Sequence, residues 1–305
     1  MGRSLDAAVF AAVAVRYLDD LRVRCGAGHV ANVERSLRRI LDACAEISVA
    51  ALMDFRAARR AASSNRSANM DVQAVRAAIR WAHGLGLIDD NPVASMRGLP
   101  QRPADLVKRR RSLGLDEARR FMDAVVRADH RRRLLARPDG TPPPRQEPLW
   151  RMFLEAGLRW REACSLEPGD VTDDAIIVRA AVCKSGRDRV IPVRRELAAM
   201  ARDAVPFRAP QGGLWREKDR SNARVAFLGI LGHADIAQKD ERGRSLDIHA
   251  LRRSCATRWH AAGVPIATIA KLLGHAKVET TYRHYIDDDV EAYRKSLDEL
   301  VWSRR

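Results

Sequence analysis

Three short motifs decide how the chain is read: His249-Ala250-Leu251-Arg252, then Leu272-Leu273-Gly274-His275, then Thr280-Thr281-Tyr282-Arg283-His284-Tyr285. Helical spacing puts His249 and Arg252 on one face, three residues apart. Val264-Pro265-Ile266 opens a short amphipathic helix, with Ile266, Ile269, Ala270 and Leu273 along one stripe. Gly274 is placed to end that helix in a left-handed conformation, which turns His275 back toward the preceding helix. A cation-rich pocket followed by a tyrosine suits phosphodiester chemistry in which the nucleophile is a phenol.

Two upstream stretches extend the pattern. Ala156 to Leu166 contains Gly157-Leu158-Arg159, then Glu162 and Leu166, and Lys184 to Pro192 reads K-x-G-x-x-R-x-x-P. Together with H-x-x-R, L-G-H and the tyrosine that follows, these motifs resemble the tyrosine recombinase (phage integrase) family, in the family's order and across about 130 residues. The resemblance is specific after Leu149 and weaker over the first hundred residues.

The resemblance implies a site. Arg159 and Arg252 would form the pair of guanidinium forks that stabilise negative charge on the non-bridging phosphate oxygens. His249 and His275 would handle protons and hydrogen-bond the scissile phosphate. Lys184 would protonate the departing 5′ oxygen. Glu162 would orient Arg159 as a neighbouring carboxylate. Tyr285 would be the nucleophile, ten residues after His275, where the commoner step of nine lands on His284. Tyr282 shares its helix face and stays as a second candidate. A phenol is mostly protonated at pH 7, so cations or a base must help it attack.

Composition agrees with a polyanionic partner. The 305 residues carry a net charge of +16 with a pI near 10.5, and neutralising phosphates releases condensed counterions. The length suffices for two domains. Five scattered cysteines without C-x-x-C spacing indicate reduced thiols in a cytoplasm and exclude a disulfide framework. The apolar run Ala7 to Val15 is too short to span a bilayer and is expected to be an amphipathic helix. No metal or cofactor is expected: P-loop and H-E-x-x-H patterns are missing, and Asp287-Asp288-Asp289 reads as the start of a last helix.

Taken in order, the spacing predicts helices over 5–24, with Val9, Val13, Tyr17 and Leu21 inward, and over 29–45, 49–61 and 68–84. This is an all-α bundle over residues 1–98 with no strand, matching the family's DNA-clasping core-binding domain. Residues 99–111 read as a basic linker, in which Lys108, Arg109, Arg110 and Arg111 are candidate phosphate contacts. The second domain, 112–305, starts with a helix to about Asp129. A surface loop over 130–148 and a hairpin of Ala175–Val182 with Arg189–Val193 follow. Further helices are predicted at 194–204, 219–233, 249–262, 264–273, 277–285 and 290–302. Arg161 and Arg253, neighbours of the motif arginines, read as solvated or DNA-backbone charges.

The expected fold class is mainly α with a small antiparallel sheet, in the two-domain architecture of the resembled family. The implied function is site-specific cleavage and rejoining of double-stranded DNA at inverted-repeat half-sites. It would proceed through a 3′-phosphotyrosyl intermediate, in a homotetramer assembled by the last helix, without ATP, metal or membrane. Two other classes compete: a helix-turn-helix regulator without chemistry, since Pro265 to Tyr285 scans that way, and a type IB topoisomerase with similar residues. The multi-motif set disfavours the first, and the N-terminal bundle disfavours the second.

Overall fold

The computed structural model describes residues 4–100, 110–134, 145–183, 186–204 and 220–285, with Arg220 and residues 283–285 by backbone only. Two compact units divide at Val107 and Lys108.

The N-terminal unit begins with a two-residue strand β1 (Leu5–Asp6) and helix α1 (Ala7–Arg24), followed by α2 (Ala27–Leu41), strand β2 (Glu46–Ile47), α3 (Val49–Ala62) and α4 (Asn65–Gly84). The expected absence of strands is corrected here. Leu5 pairs with Ile47 and Asp6 with Glu46 in an antiparallel bridge, and two residues a side are too few for alternation to register in a sequence. The bridge holds two helix starts together. Asp6 caps α1 by accepting the Ala8 amide at 2.8 Å, and Ser48 caps α3 by accepting that of Ala51 at 3.2 Å.

Helix α4 packs on each of the other three, and its Val72, Val75, Ile79 and Ala82 are buried, as the helical spacing predicted. One inward assignment in α1 is wrong. Val9 is 47% exposed and Phe10 lies fully inside, so the buried stripe runs Phe10, Val13, Ala14, Tyr17, Leu18 and Leu21. Some polar ties are deep. Asp71 of α4 is buried and accepts from Ser36 Oγ at 2.6 Å, Arg39 at 3.1 Å and Arg59 Nε at 2.8 Å, which joins α2, α3 and α4 through one carboxylate. Asn69 pairs with the Leu99 backbone in both directions, and Asn65 donates to the Pro100 carbonyl. Residues expected to begin the linker are therefore hydrogen-bonded to α4.

The second unit is built on α5 (Leu115–Arg133) and α6 (Glu147–Glu155), then a short α7 (Trp160–Cys164), the hairpin β3 (Ala175–Val178) and β4 (Arg189–Pro192), α8 (Arg195–Ala204), α9 (Arg220–His233), α10 (Ile248–Ala261), α11 (Ile266–Leu273) and α12 (Val278–Tyr285). An aromatic group centres its core: Phe121, Trp150, Phe153 and Phe227 are at most 1% exposed, with Phe121 edge-on to Trp150 at 6.0 Å. Buried Asp129 on α5 accepts the amides of Gln146 and Glu147 at 2.7–2.9 Å, capping α6 from another helix.

The hairpin is shorter than predicted. Ala175 pairs with Pro192 and Val178 with Arg189. After Val178 the chain turns, because the Val182 and Cys183 amides bond back to the Arg179 carbonyl. The predicted final helix at 290–302, residues 135–144 of the predicted loop and Asp287 to Asp289 lie outside the described residues. Among those described, no helix is long and apolar enough to cross a membrane, and none of the five cysteines is disulfide-bonded.

Asp71→Ala should orphan the Ser36 hydroxyl and two guanidiniums, at a cost of about 1–3 kcal/mol to the N-terminal unit. Hydrogen exchange checks this: α2 and α4 amides should exchange faster while those of α10 stay unchanged.

Candidate active site

The site is assembled at helix ends. Helix α6 ends at Glu155, and Gly157 then takes a left-handed backbone, φ 62°. A side chain there would be strained, and its Cβ would sit 3.0 Å from Leu273 Cδ2 and 3.3 Å from Cys255 Sγ. That tight turn delivers Arg159 to the N-cap of α7. On the opposite wall, Gly274 ends α11 with φ 64° and ψ 46°, the left-handed cap the sequence predicts. Its Cβ position lies 3.1 Å from Arg189, so the guanidinium packs directly on the glycine.

Glu162 is the hub. The residue is 1% exposed and accepts from three sources: the Arg159 amide at 2.7 Å and its Nη1 at 2.7 Å, and Arg189 through Nη1 at 3.1 Å and Nη2 at 2.6 Å. Arg252 Nη1 stands 3.8 Å away. Burial by itself would raise this carboxyl. The hydrogen bonds and charge of Arg189, with the amide and charge of Arg159, outweigh it and hold the group at about 2.

Arg252 is 1% exposed on α10. Its Nη1 donates to the Gly157 carbonyl and its Nη2 to the Leu273 carbonyl. Arg159 is more open, its side chain 25% exposed, and Nη2 reaches the Gly274 carbonyl at 3.3 Å. Each glycine turn thus lends a carbonyl to an arginine from another element. His275 meets Arg252 through Nε2 at 3.3 Å and Thr281 Oγ1 through Nδ1 at 2.8 Å.

His249 opens α10 next to its N-cap, Asp247, which accepts the Ala250 amide at 3.0 Å and Arg110 Nε at 2.8 Å. The histidine is exposed to solvent. Desolvation, then the charges of Arg252, Arg110 and Arg159, push it down to about 4 against the opposing pull of Asp247. Because the ring keeps a wet edge, the surrounding guanidiniums are the firmer cause.

Among the sequence candidates, Arg159 and Arg252 gather around the Glu162 carboxylate, His275 joins them through Arg252, and His249 lies in the same field. Lys184 falls outside the described residues, as do Lys108 and Arg109. Tyr285 is the last residue of α12 and is described by backbone only, while Tyr282 on the same helix is 54% exposed. The basic run is not a solvated stretch where it is described. Arg111 is forked onto Glu117 at 2.7 and 2.8 Å and donates to the Ala237 carbonyl at 2.8 Å, and its side chain is only 11% exposed. Arg253, expected as a solvated or DNA-backbone charge, donates to the Arg110 carbonyl at 2.9 Å.

Two residues of the cluster went unnamed among the candidates. Arg189 was legible as the arginine of K-x-G-x-x-R-x-x-P. Thr281 had no signal beyond its place before Tyr282. Cys255, in contact with the Gly157 turn, is pushed up to about 12 by burial and is no nucleophile at neutral pH. Among the described residues, no group of three His, Cys, Asp or Glu side chains is placed to hold a metal ion.

Chemically, the arrangement presents guanidinium N–H groups and two imidazoles to an anion with tetrahedral oxygens. Residues 113–292 match the sequence model of the phage integrase family. The chain is 29% identical over 269 residues to the tyrosine recombinase XerA of Thermococcus kodakarensis, covering 86% of this chain and 85% of that protein. Its fold is similar to that of a lambda integrase tetramer bound to a Holliday junction, with a TM-score of 0.70, 16% identity, and coverage of 91% and 77%. It is also similar to the Tn1549 transposon integrase in complex with a circular intermediate DNA, with a TM-score of 0.67, 16% identity, and coverage of 94% and 99%.

Glu162→Gln leaves the arginines around a neutral amide and should cost about 3–5 kcal/mol. A depressed carboxyl stabilises the fold above its unfolded value near 4.5 and loses that contribution as pH falls toward 2. The stability gap between wild type and Glu162→Gln should therefore narrow over that window in pH-dependent urea melts. His249 should titrate near pH 4 by NMR in the free protein, and inorganic phosphate in the arginine pocket should move its midpoint upward.

Proposed function

The chain belongs to the phage integrase family of tyrosine-type site-specific DNA recombinases, and from that premise we propose that it cuts and rejoins DNA through a 3′-phosphotyrosyl link at Tyr285. The phenolic oxygen attacks phosphorus, a P–O bond to tyrosine forms, and the bond to the 5′ oxygen breaks. Lys184 supplies the proton that this leaving oxygen takes. A free 5′-hydroxyl of the partner strand then attacks the phosphotyrosine and releases the phenol. One phosphodiester is exchanged for another, so the bond energy is retained and neither ATP nor metal enters the scheme.

The observation that supports the reading is the placing of Arg159 and Arg252 around the Glu162 carboxylate, with His275 against Arg252 and α12 running from Val278 to Tyr285. Arg159, with its partly open side chain, is suited to a non-bridging oxygen, since it can add a phosphate contact without leaving Glu162. Arg252 is held by main-chain carbonyls and contributes fixed charge, which costs no reorganisation as the transition state forms. His249, kept neutral by its cationic neighbours, has a lone pair available for the phenolic proton.

The substrate under this proposal is double-stranded DNA with inverted-repeat half-sites, and the N-terminal unit adds further phosphate contacts. A homotetramer joined by residues 290–302 and a cytoplasmic, nucleoid-associated setting complete it. The relaxing-enzyme and regulator alternatives make different demands: the first needs no site preference, the second no tyrosine.

The test is covalent capture from a randomised library of nicked duplexes, with the linked residue located by mass spectrometry. Tyr285→Phe should abolish the adduct and Tyr282→Phe should not. Arg159→Ala should slow its formation by about 10²–10³-fold with only a modest loss of DNA affinity, because many other phosphate contacts remain. An adduct mapped to Tyr282, or one surviving in Tyr285→Phe, would overturn the assignment of the nucleophile.

A further inference from the structure

Thr281 is completely buried, and its hydroxyl oxygen lies 2.8 Å from His275 Nδ1. On the far side of the ring, Nε2 stands 3.3 Å from Arg252 Nη2. A guanidinium offers N–H donors and no acceptor. In a neutral ring the nitrogen facing it must present the lone pair, so the proton sits on Nδ1 and is donated to Thr281. The hydroxyl by itself accepts either role, so Arg252 decides the tautomer and Thr281 holds it.

Placement gives that hydrogen bond a second consequence. Thr281 belongs to α12, and Tyr285 follows four residues later on the same helix, one turn on. His275 follows Gly274, whose left-handed cap brings the His275 amide onto the Ala270 carbonyl at 2.9 Å. The ring is thus fixed to α11 by its backbone and to α10 by Arg252. Thr281 is the point at which α12 is registered against both.

We propose that Thr281 is a positioning residue for recombination: a buried hydroxyl that keeps His275 in its Nδ1–H form, with the Nε2 lone pair facing Arg252, and that helps set the register of the nucleophile helix on that ring. A proton on Nε2 instead would aim a donor at Arg252 and push the two groups apart. The catalytic consequence rests on the recombinase reading; the tautomer does not.

Two measurements test it. Long-range ¹H–¹⁵N NMR of the full chain at neutral pH should show His275 as the Nδ1–H tautomer, and finding Nε2–H in the wild type would overturn the proposal whatever the enzyme does. Thr281→Val keeps the volume and removes the hydroxyl. It should shift the ring toward Nε2–H and slow covalent capture roughly tenfold on the duplex recovered from the library, about the worth of one hydrogen bond. Thr281→Ser should restore both readouts, which a merely space-filling role would not predict. Capture by Thr281→Val at the wild-type rate would also overturn the proposal. Should the valine variant fail to fold, the wild-type spectrum and the serine variant still decide. Absence of any adduct in the wild type would count against the recombinase reading and leave the tautomer assignment standing or falling on its own spectrum.

Discussion

A carboxylate taken out of water is tolerable only when its lone pairs are fully answered, and Glu162 sets that condition for the second unit. Its neighbours are Arg159, Arg189 and, slightly farther off, Arg252. Three cations around one anion leave a net positive cavity, which is unfavourable in an isolated protein and well suited to receiving an anionic ligand. Arginine fits the task better than lysine. Its planar fork can satisfy Glu162 on one edge and keep N–H groups for a phosphate on another.

Main-chain carbonyls complete the arrangement. Gly157 and Gly274 are left-handed turns at the ends of α6 and α11, and the carbonyls near them accept from Arg252 and Arg159. A helix C-terminus carries partial negative charge and carbonyls with no partner inside the helix, so it is a favourable place to seat a guanidinium. The same turns bring backbone so close that a Cβ would strike Leu273 or Arg189. Pocket and turn geometry are one constraint, and substitution at either glycine would disturb charge and packing together.

The N-terminal unit uses the same device on a smaller scale, with buried Asp71 drawing Ser36, Arg39 and Arg59 to one point. The state of the histidines in the second unit then follows from the surplus of cations. Positive neighbours keep His249 neutral and turn the Nε2 lone pair of His275 toward Arg252. A phosphate entering that field would offset part of the positive charge and raise the affinity of His249 for a proton.

Much of this was legible in the linear chain. Helical periodicity placed α1 to α4 and α8 to α12 within a few residues, most directly where a helix buries an apolar stripe, as α1, α4 and α11 do. The motif spacing named Arg159, Glu162, His249, Arg252 and His275, because the family keeps those residue types at those steps. The bridge of Leu5–Asp6 with Glu46–Ile47 was beyond that reading, since two-residue strands have no period. Phe10 displaced Val9 because a 3.6-residue repeat read from one end drifts by a position.

Residue types, spacing and charge, all local properties, were determined by the sequence by itself: a basic, mainly helical chain with the recombinase motifs in order. Which side chains share a carboxylate was decided only by the tertiary structure. Arg189 lies 27 residues from Glu162 in the chain and Arg252 lies 95 from the Gly157 carbonyl it binds. Arg111 looked like part of a free basic run until Glu117 and the Ala237 carbonyl claimed it. Burial chooses such partners, because a charge moved out of water must find its counterpart in space, wherever the chain happens to carry it.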